Sequence, residues 1–213
     1  MADKRIGVDE SGKGDFFGPL VIAACYVGPE HCSELEEVQD SKKLTDKKAV
    51  LLARVIKRTC PHSIVAIGPK KYNELYKKIG NLNKLLAWGH ARAIEDVLEK
   101  QDCNVVISDQ FANPAGLKRA LMQKGRSIEL ISRVRAEADL AVAAASVLAR
   151  AEFLHRLQRL GADFGVTLPK GAGFQVDETA ARIIDERGED ALAAVAKMHF
   201  KTVDKAKALA KGL

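Results

Sequence analysis

The spacing of apolar and polar positions along this chain predicts both strands and helices. Short apolar runs rich in β-branched residues predict strands at 6–8, 19–27, 63–67, 103–108 and 127–134. Apolar residues at helical spacing predict helices at 45–59, 82–100, 114–124, 140–160, 177–187 and 190–198, followed by a basic helix at 201–211. Strands come first and then alternate with helices, which predicts one α/β domain over 1–213 with a mixed central sheet flanked by helices. Additional C-terminal helices are expected at about 177–213.

Three local features sharpen this prediction. Thr45 precedes the first predicted helix and is expected to be its N-cap. The pair Gly68-Pro69 is expected to stop the strand at 63–67. The helix at 140–160 begins with the small residues A-V-A-A-A-S, which allow a helix to pack close against a sheet.

The composition is that of a folded protein. Of the 213 residues 47% are hydrophobic and 29% are charged, which argues against a disordered chain. The longest apolar stretches are too short to span a bilayer, and no apolar core of an export signal follows the polar segment 1–5. The cysteines, at 25, 32, 60 and 103, form no C-x-x-C pair, which argues against a zinc site. We therefore expect no membrane association and a cytoplasmic protein with reduced thiols.

The formal charge of +6 fits a polyanionic partner, and the basic residues are unevenly placed. Lysine-rich segments lie at 42–58, 70–84 and 197–211, whereas acidic residues collect at 34–40 and 177–190. Any one basic run is more simply explained as solvated surface. Several of them around one site would form a phosphate-binding surface.

Acidic residues recur where predicted strands end and where a predicted helix begins. They are Asp9, Glu10, Asp109, Glu137 and Asp139. In open α/β sheets, ligands gather at the carboxyl ends of strands. Converging carboxylates repel one another unless hard cations neutralise them, so the set predicts Mg²⁺ or Mn²⁺ rather than zinc, with two ions about 3.5–4 Å apart during catalysis. Taken singly, each acid could instead cap a turn or a helix.

The sequence Ser11-Gly12-Lys13-Gly14 follows Asp9 and Glu10 directly. Neighbouring side chains of a strand point to opposite faces, so these two acids can share a site only if the strand is already turning at Glu10. The glycines favour such a turn, and they allow the loop to approach a nucleic-acid backbone closely. A tight loop beside metal ions could distinguish RNA from DNA through the ribose 2′-OH, which both donates and accepts hydrogen bonds.

Seven short motifs are distributed along the chain. They are D-E-S-G-K-G-D with F-F-G-P-L at 9–20, D-S-K-K-L at 40–44, G-N-L-N-K-L-L-A-W-G-H-A at 80–91, S-D-Q-F at 108–111, A-E-A-D-L-A-V-A-A-A-S at 136–146, L-P-K-G-A at 168–172 and H-F-K-T at 199–202. Together they resemble the bacterial ribonuclease HIII branch of the ribonuclease HII/HIII family. The resemblance spans nearly the whole chain and implies an RNase H-like fold. It also implies endonucleolytic hydrolysis of the RNA strand of RNA/DNA hybrids, leaving 5′-phosphate and 3′-hydroxyl ends.

The resemblance also assigns roles to single residues. Carried over position by position, the metal-binding acids of the family fall on Asp9, Glu10 and Asp109. The fourth acid is a glutamate in ribonuclease HIII, and we favour Glu137 for it, with Asp139 as the competing candidate. The residues expected to contact substrate are Ser11, Gly12, Lys13, Gly14, Lys42 and Lys43.

One departure from the family pattern concerns the N-terminus. Ribonuclease HIII usually carries an N-terminal substrate-binding domain that resembles the TATA-binding protein, whereas here the D-E motif begins at residue 9. We therefore expect the hybrid affinity to come from the catalytic domain alone. We also expect a monomer. Two rival functions stay open: cleavage of the HII type, at a single ribonucleotide embedded in duplex DNA, and hybrid binding without catalysis.

Four further residues are expected to be structural rather than catalytic. They are Trp88, His90, Ser146 and His199. Ser146 lies within a predicted helix, where a hydroxyl commonly bonds back to its own helix. Trp88 is the single tryptophan, and packing in the core or in a groove is the expectation for it.

Overall fold

The computed structural model describes residues 4–38, 44–109, 114–133 and 136–211, without the side chains of Pro114 and Glu137. The strands are β1 (Arg5–Ser11), β2 (Leu20–Val27), β3 (His62–Ile67), β4 (Val105–Asp109) and β5 (Glu129–Arg133). The α-helices are α1 (Asp46–Thr59), α2 (Pro69–Ile79), α3 (Leu82–Leu98), α4 (Pro114–Ala120), α5 (Leu140–Phe164), α6 (Phe174–Arg187), α7 (Glu189–Val195) and α8 (Thr202–Ala210). Short 3₁₀ turns occupy Pro29–His31, Ser33–Val38, Gly125–Ser127 and Ala136–Ala138.

The described strands form one mixed sheet in the order β3-β2-β1-β4-β5. β1 pairs with β2 in antiparallel orientation and with β4 in parallel orientation, and β4 pairs with β5 in parallel. Every residue of β2 is buried, which explains why this strand is an almost unbroken apolar run rather than an alternating one. The predicted α/β class, with a mixed sheet flanked by helices, is therefore confirmed.

Two glycines show how closely helices cover this sheet. A Cβ atom on Gly7 of β1 would lie 2.1 Å from the backbone of Ala141, so the small-residue start of α5 lies directly against the strand. A Cβ atom on Gly89 of α3 would lie 2.7 Å from Cδ1 of Ile22 in β2. Ile22 is paired with Glu10, which lies three positions after Gly7 and therefore on the other face. α5 and α3 thus cover opposite faces of the sheet.

The chain divides into two compact units. The first comprises residues 1–11, 21–65 and 81–152, and the second comprises 12–20, 66–80 and 153–213. In the second unit α6 packs against α7 and α8, and α2 packs against α7. The predicted additional C-terminal helices are therefore present, while the assignment of 1–213 to one domain stays a prediction.

The sequence pattern misses one helix, α2. The pair Gly68-Pro69, expected only to end β3, also begins this helix, because proline in the first turn lacks an N–H that would have had no partner there. Gly80 ends α2 with a φ angle of 64°, a conformation that favours glycine. The other predicted helices and strands are present with ends shifted by a few residues, and Thr45 caps α1 as expected, accepting from the Lys48 N–H at 3.3 Å.

Within the described residues no helix is long and apolar enough to cross a membrane. The four cysteines are free thiols, and Cys25, Cys60 and Cys103 are buried.

Candidate active site

Two of the predicted acids lie at the same edge of the sheet. The parallel register pairs Val8 of β1 with Ser108 of β4, so the next residues along these strands are Asp9 and Asp109. Both strands run in the same direction, and their carboxyl ends therefore bring the two carboxylates to neighbouring positions.

Asp9 carries a strongly perturbed carboxyl group. Burial, with smaller contributions from the charges of Glu10 and Asp109, raises its pKa from 3.8 to about 7. Hydrogen bonds from the Ser146 side chain and from the Glu10 N–H, the latter at 2.8 Å to Oδ1, lower this pKa in part. Three negative groups therefore lie close enough to repel one another, in a place from which water is largely removed.

Glu10 points to the other face of the sheet, where α3 lies. Its Oε2 lies 3.0 Å from Nε2 of His90, whose side chain is fully buried. The turn at Glu10 that the sequence suggested is not observed, because β1 stays paired with β2 as far as Ser11. Asp9 and Glu10 thus contact different helices, α5 and α3, yet the charge of Glu10 still raises the pKa of Asp9.

Asp109 is oriented by the segment that carries the fourth predicted acid. Its Oδ1 accepts a hydrogen bond from the Ala136 N–H at 3.3 Å. Ala136 begins the 3₁₀ turn that contains Glu137, so the backbone of this turn lies beside Asp109. The side chain of Glu137 is outside the described part of the structure.

The competing acid, Asp139, is occupied by structural contacts. Its Oδ2 lies 2.5 Å from Nε of Arg5, and its Oδ1 accepts from the Ala141 N–H at 2.9 Å. Its backbone carbonyl accepts the Ala143 N–H at 2.9 Å. Asp139 therefore caps the start of α5 and neutralises Arg5.

The glycine-rich loop belongs to the second unit. Gly12 has a φ angle of 85°, and a Cβ atom there would lie 2.2 Å from the carbonyl oxygen of Pro19. Gly14 is exposed, and its φ angle is not positive. No atom of the described residues would lie within 4 Å of a Cβ atom added to it. Packing explains the glycine at position 12, whereas neither packing nor backbone conformation requires one at position 14.

The described residues alone do not form a complete metal centre. Among them, which do not include the side chain of Glu137, no group of three or more His, Cys, Asp or Glu side chains is arranged to hold a metal ion. The donor chemistry nevertheless fits a divalent cation of the hard class, because the side chains that meet here are carboxylates, and such a cation would neutralise the charges of Asp9, Glu10 and Asp109.

The remaining predicted residues are distributed as follows. Lys42 and Lys43 lie outside the described residues, and Lys13 is partly buried. Trp88 is 43% exposed and therefore not a core residue. His199 has the expected structural environment, stacked on Tyr76 with 4.2 Å between ring centres.

Two residues expected to be structural contact the acids. Ser146 bonds to Asp9, and His90 bonds to Glu10. Their positions in the sequence carry one usable signal: Ser146 ends the small-residue run, and α5 can bring a hydroxyl to β1 only because that run lets it approach closely.

Comparison with known proteins agrees with this geometry. The sequence profile of the family described as ribonuclease HII matches residues 6–203. The chain is 50% identical to ribonuclease HIII of Chlamydia pneumoniae, over 94% of this chain and 69% of that protein. It is 47% identical to ribonuclease HIII of Protochlamydia amoebophila, over 94% of this chain and 67% of that protein.

A solved ribonuclease HIII structure also resembles this chain in fold. The crystal structure of Bst-RNase HIII in complex with Mn²⁺ superposes with a TM-score of 0.92 at 36% identity, covering 100% of this chain and 71% of that one. Profile, sequence identity and fold therefore agree along almost the whole length. The chain belongs to the ribonuclease HII family.

Proposed function

We propose that this chain is an endonuclease that hydrolyses the RNA strand of RNA/DNA hybrids, leaving 5′-phosphate and 3′-hydroxyl ends. One observation carries the proposal: Asp9, near the carboxyl end of a central strand, has a carboxyl group whose pKa is raised to about 7 by burial and, to a smaller extent, by the charges of Glu10 and Asp109. A cluster of this kind is costly unless a cation neutralises it. The relatives named ribonuclease HIII, one of them solved with Mn²⁺, support the same reaction.

We assign Asp9, Glu10, Asp109 and Glu137 as the residues that hold two Mg²⁺ or Mn²⁺ ions. Although β1 does not turn at Glu10, the two neighbouring acids lie near the same end of the strand, and the charge of Glu10 is close enough to Asp9 to raise its pKa. When bound, such ions make a nucleophile available at neutral pH and stabilise the negative oxygens of the phosphodiester. The protein supplies the orientation of the carboxylates. Ser146 and the Glu10 N–H orient Asp9, and the Ala136 N–H orients Asp109.

His90 is the group that orients Glu10. Because the imidazole is fully buried on α3, it holds the carboxylate in one position relative to β1. Residues of this kind beside a metal ligand commonly matter almost as much as the ligand itself.

The contacts of Asp139 support Glu137 as the fourth acid. Both oxygens of Asp139 are engaged, by Arg5 and by the Ala141 N–H. Glu137 is carried by the turn whose first N–H bonds to Asp109. We therefore expect Glu137→Gln to remove cleavage and Asp139→Asn to lower chiefly the stability.

Recognition of RNA is assigned to the loop that follows Glu10. Ser11, Gly12, Lys13 and Gly14 would approach the substrate backbone and a ribose 2′-OH, with Lys42 and Lys43 on the phosphates. The open position of Gly14 supports this, because a glycine that neither packing nor its φ angle requires is explained by close approach of another molecule. The free cysteines support a reducing compartment, and we propose a cytoplasmic monomer.

The test is a cleavage assay with a labelled RNA strand in a hybrid. Asp9→Asn and Asp109→Asn should each remove metal-stimulated cleavage while leaving the circular dichroism spectrum unchanged. Asp102→Asn, a change of the same kind at an exposed position, is the matched control and should cleave normally. Full activity of either site variant would overturn the assignment, and hybrid binding by the wild type without cleavage would favour the non-catalytic rival.

A second candidate activity is cleavage at a single ribonucleotide within duplex DNA. It is favoured by the match to the profile described as ribonuclease HII. A duplex containing one ribonucleotide decides between the two. Efficient cleavage on the 5′ side of that ribonucleotide indicates the HII type, whereas a requirement for runs of ribonucleotides indicates the HIII type.

A further inference from the structure

A buried lysine lies beneath the glycine-rich loop. Lys197 has no exposed surface, although its side chain is one of the largest fully buried ones described. Its Nζ donates to the backbone carbonyls of Asp15 at 2.7 Å, Gly18 at 2.9 Å and, more weakly, Phe17 at 3.4 Å. The sequence motifs gave no role to this residue.

The surroundings explain how a lysine can be buried here. A protonated amine has three donors, and the three carbonyls supply an acceptor for each of them. The Tyr72 ring adds a cation–π contact, with its centre 5.8 Å from Nζ. Burial lowers the pKa of Lys197 to about 7, and the nearby charge of Asp15 partly opposes this shift.

All three carbonyls belong to one short segment, 15–18. The same segment is held by two backbone bonds to residues 195–197: Phe16 accepts from the Lys197 N–H at 2.9 Å, and Gly18 donates to Val195 at 2.9 Å. Asp15 is fixed further, since its Oδ1 accepts from the Gly171 N–H at 2.6 Å. The Asp15 N–H in turn reaches the Gly12 carbonyl at 3.4 Å, which connects this segment to the loop before it.

We propose that Lys197 is a positioning residue that fixes segment 15–18 and thereby holds Gly12, Lys13 and Gly14 in the geometry that recognises a ribose. This inference rests on the function proposed above for that loop. Without the ammonium group, three buried carbonyls would lose their donor and the segment would rearrange to find others. The expected loss is in recognition of RNA, because the ammonium group bonds to segment 15–18, which follows the loop directly, and to none of the acids assigned to the metal ions.

Three substitutions of Lys197 and one control test this role. Lys197→Met keeps the length and removes every donor, Lys197→Gln keeps two donors, and Lys197→Arg restores a donor group. Ile183→Ala, which removes a buried side chain of α6 in the same unit, is the control for lost stability alone. For each variant, KM and kcat are measured on a hybrid, and dissociation constants for the hybrid and for DNA of the same sequence are measured in an Asp109→Asn background.

The positioning role predicts that Lys197→Met raises KM about tenfold and lowers the preference for hybrid over DNA by a similar factor, as expected for losing bonds to a charged group. Lys197→Arg should recover part of that preference. Ile183→Ala should lower the melting temperature and leave the preference for hybrid over DNA unchanged. If Lys197→Met does not fold, Lys197→Gln serves in its place with the same expected direction.

Two results would overturn the inference in different ways. A Lys197 variant that loses stability like Ile183→Ala but keeps its KM and its preference for hybrid would leave the lysine a purely structural residue. A wild-type protein that cleaves no hybrid would remove the proposed function and this inference together.

Discussion

At the scale of single residues, Asp9 carries the clearest conflict between stability and function. Its carboxylate is largely removed from water, and two neighbouring acids make its ionisation less favourable still. Nothing in the packing of β1 requires an acid at this position, since an amide could accept the same bond from the Glu10 N–H. A charge kept where it destabilises the metal-free fold is typical of a site built for a cation.

This conflict gives a prediction for the metal-free protein. The pKa of Asp9 is about 7 in the folded chain and 3.8 when it is exposed, so between these pH values the folded state holds a proton that the unfolded state has released. The Asp9 contribution to stability therefore falls as pH rises from about 4 to 7 and stays low above that. In EDTA at pH 8, Asp9→Asn should be more stable than the wild type by about 1–4 kcal/mol.

Urea unfolding of both proteins at pH 8, 6 and 4.5 measures the effect. The difference between them should shrink as pH falls from 7 towards 4, because Asp9 is then protonated in the folded wild type and increasingly protonated in the unfolded wild type as well. A difference that does not change with pH would mean that Asp9 titrates normally in the folded protein.

The acids could be predicted from the sequence, and their partners could not. Asp9, Glu10 and Asp109 follow apolar strand patterns, and the ends of strands are where ligands collect. His90 and Ser146 lie within helices, and what each contacts depends on which face of the sheet its helix covers. That information lies in contacts between residues 80 and more positions apart, such as Glu10 and His90.

At the scale of elements, two glycines of the same N-terminal region serve opposite purposes. Gly7 lies on β1 beneath α5, where a Cβ would be 2.1 Å from the backbone of Ala141. Gly14 lies in the loop, where a Cβ would meet no described atom within 4 Å. The first glycine sets the distance between a helix and the sheet, and the second leaves a surface open.

Substitution by alanine should separate these two purposes. Gly7→Ala should lower the free energy of unfolding by about 3 kcal/mol or more, since backbone atoms rather than a flexible side chain must move. Gly14→Ala should leave that free energy within about 0.5 kcal/mol, and should weaken hybrid binding because the added methyl group lies where the substrate approaches. Urea unfolding and binding to a hybrid in the Asp109→Asn background measure the two effects. Normal binding by Gly14→Ala would argue against contact between this glycine and the substrate.

Helices and strands could be predicted where the same spacing of apolar residues continues over many positions, as in α5. They were harder to predict where the same residues are compatible with two different local structures. Gly68-Pro69 ends β3 and also begins α2, so the signal for a stop hides the signal for a start. The glycines after Glu10 suggested an early turn, yet β1 continues to Ser11 because β2 lies alongside and pairs with it. The end of β1 is therefore decided by its pairing with a neighbouring strand, and the meaning of Gly68-Pro69 is decided by the position of the proline in the first turn of α2.

At the scale of the whole molecule, the mixed α/β class follows from the order of strands and helices. The strand order β3-β2-β1-β4-β5 does not, because it depends on which strands β1 pairs with. The net charge of +6 is likewise visible in the sequence, but a total does not say which lysines contact a polyanion. The salt dependence of binding can distinguish them, since each phosphate contact that is lost reduces the dependence of affinity on salt.

Lys42 and Lys43 are the lysines that we expect to contact phosphates of the substrate. In the Asp109→Asn background, the logarithm of the hybrid affinity should fall linearly with the logarithm of the salt concentration. Replacing both lysines with glutamine should make the slope shallower by about 1–2, as expected when up to two phosphate contacts are lost. The matched control is Lys57→Gln with Lys71→Gln, which lowers the net charge equally at two lysines that are paired with Glu152 and Glu74. Equal changes of slope in the two double variants would mean that Lys42 and Lys43 act only through the net charge, and an unchanged slope would remove them from the substrate surface.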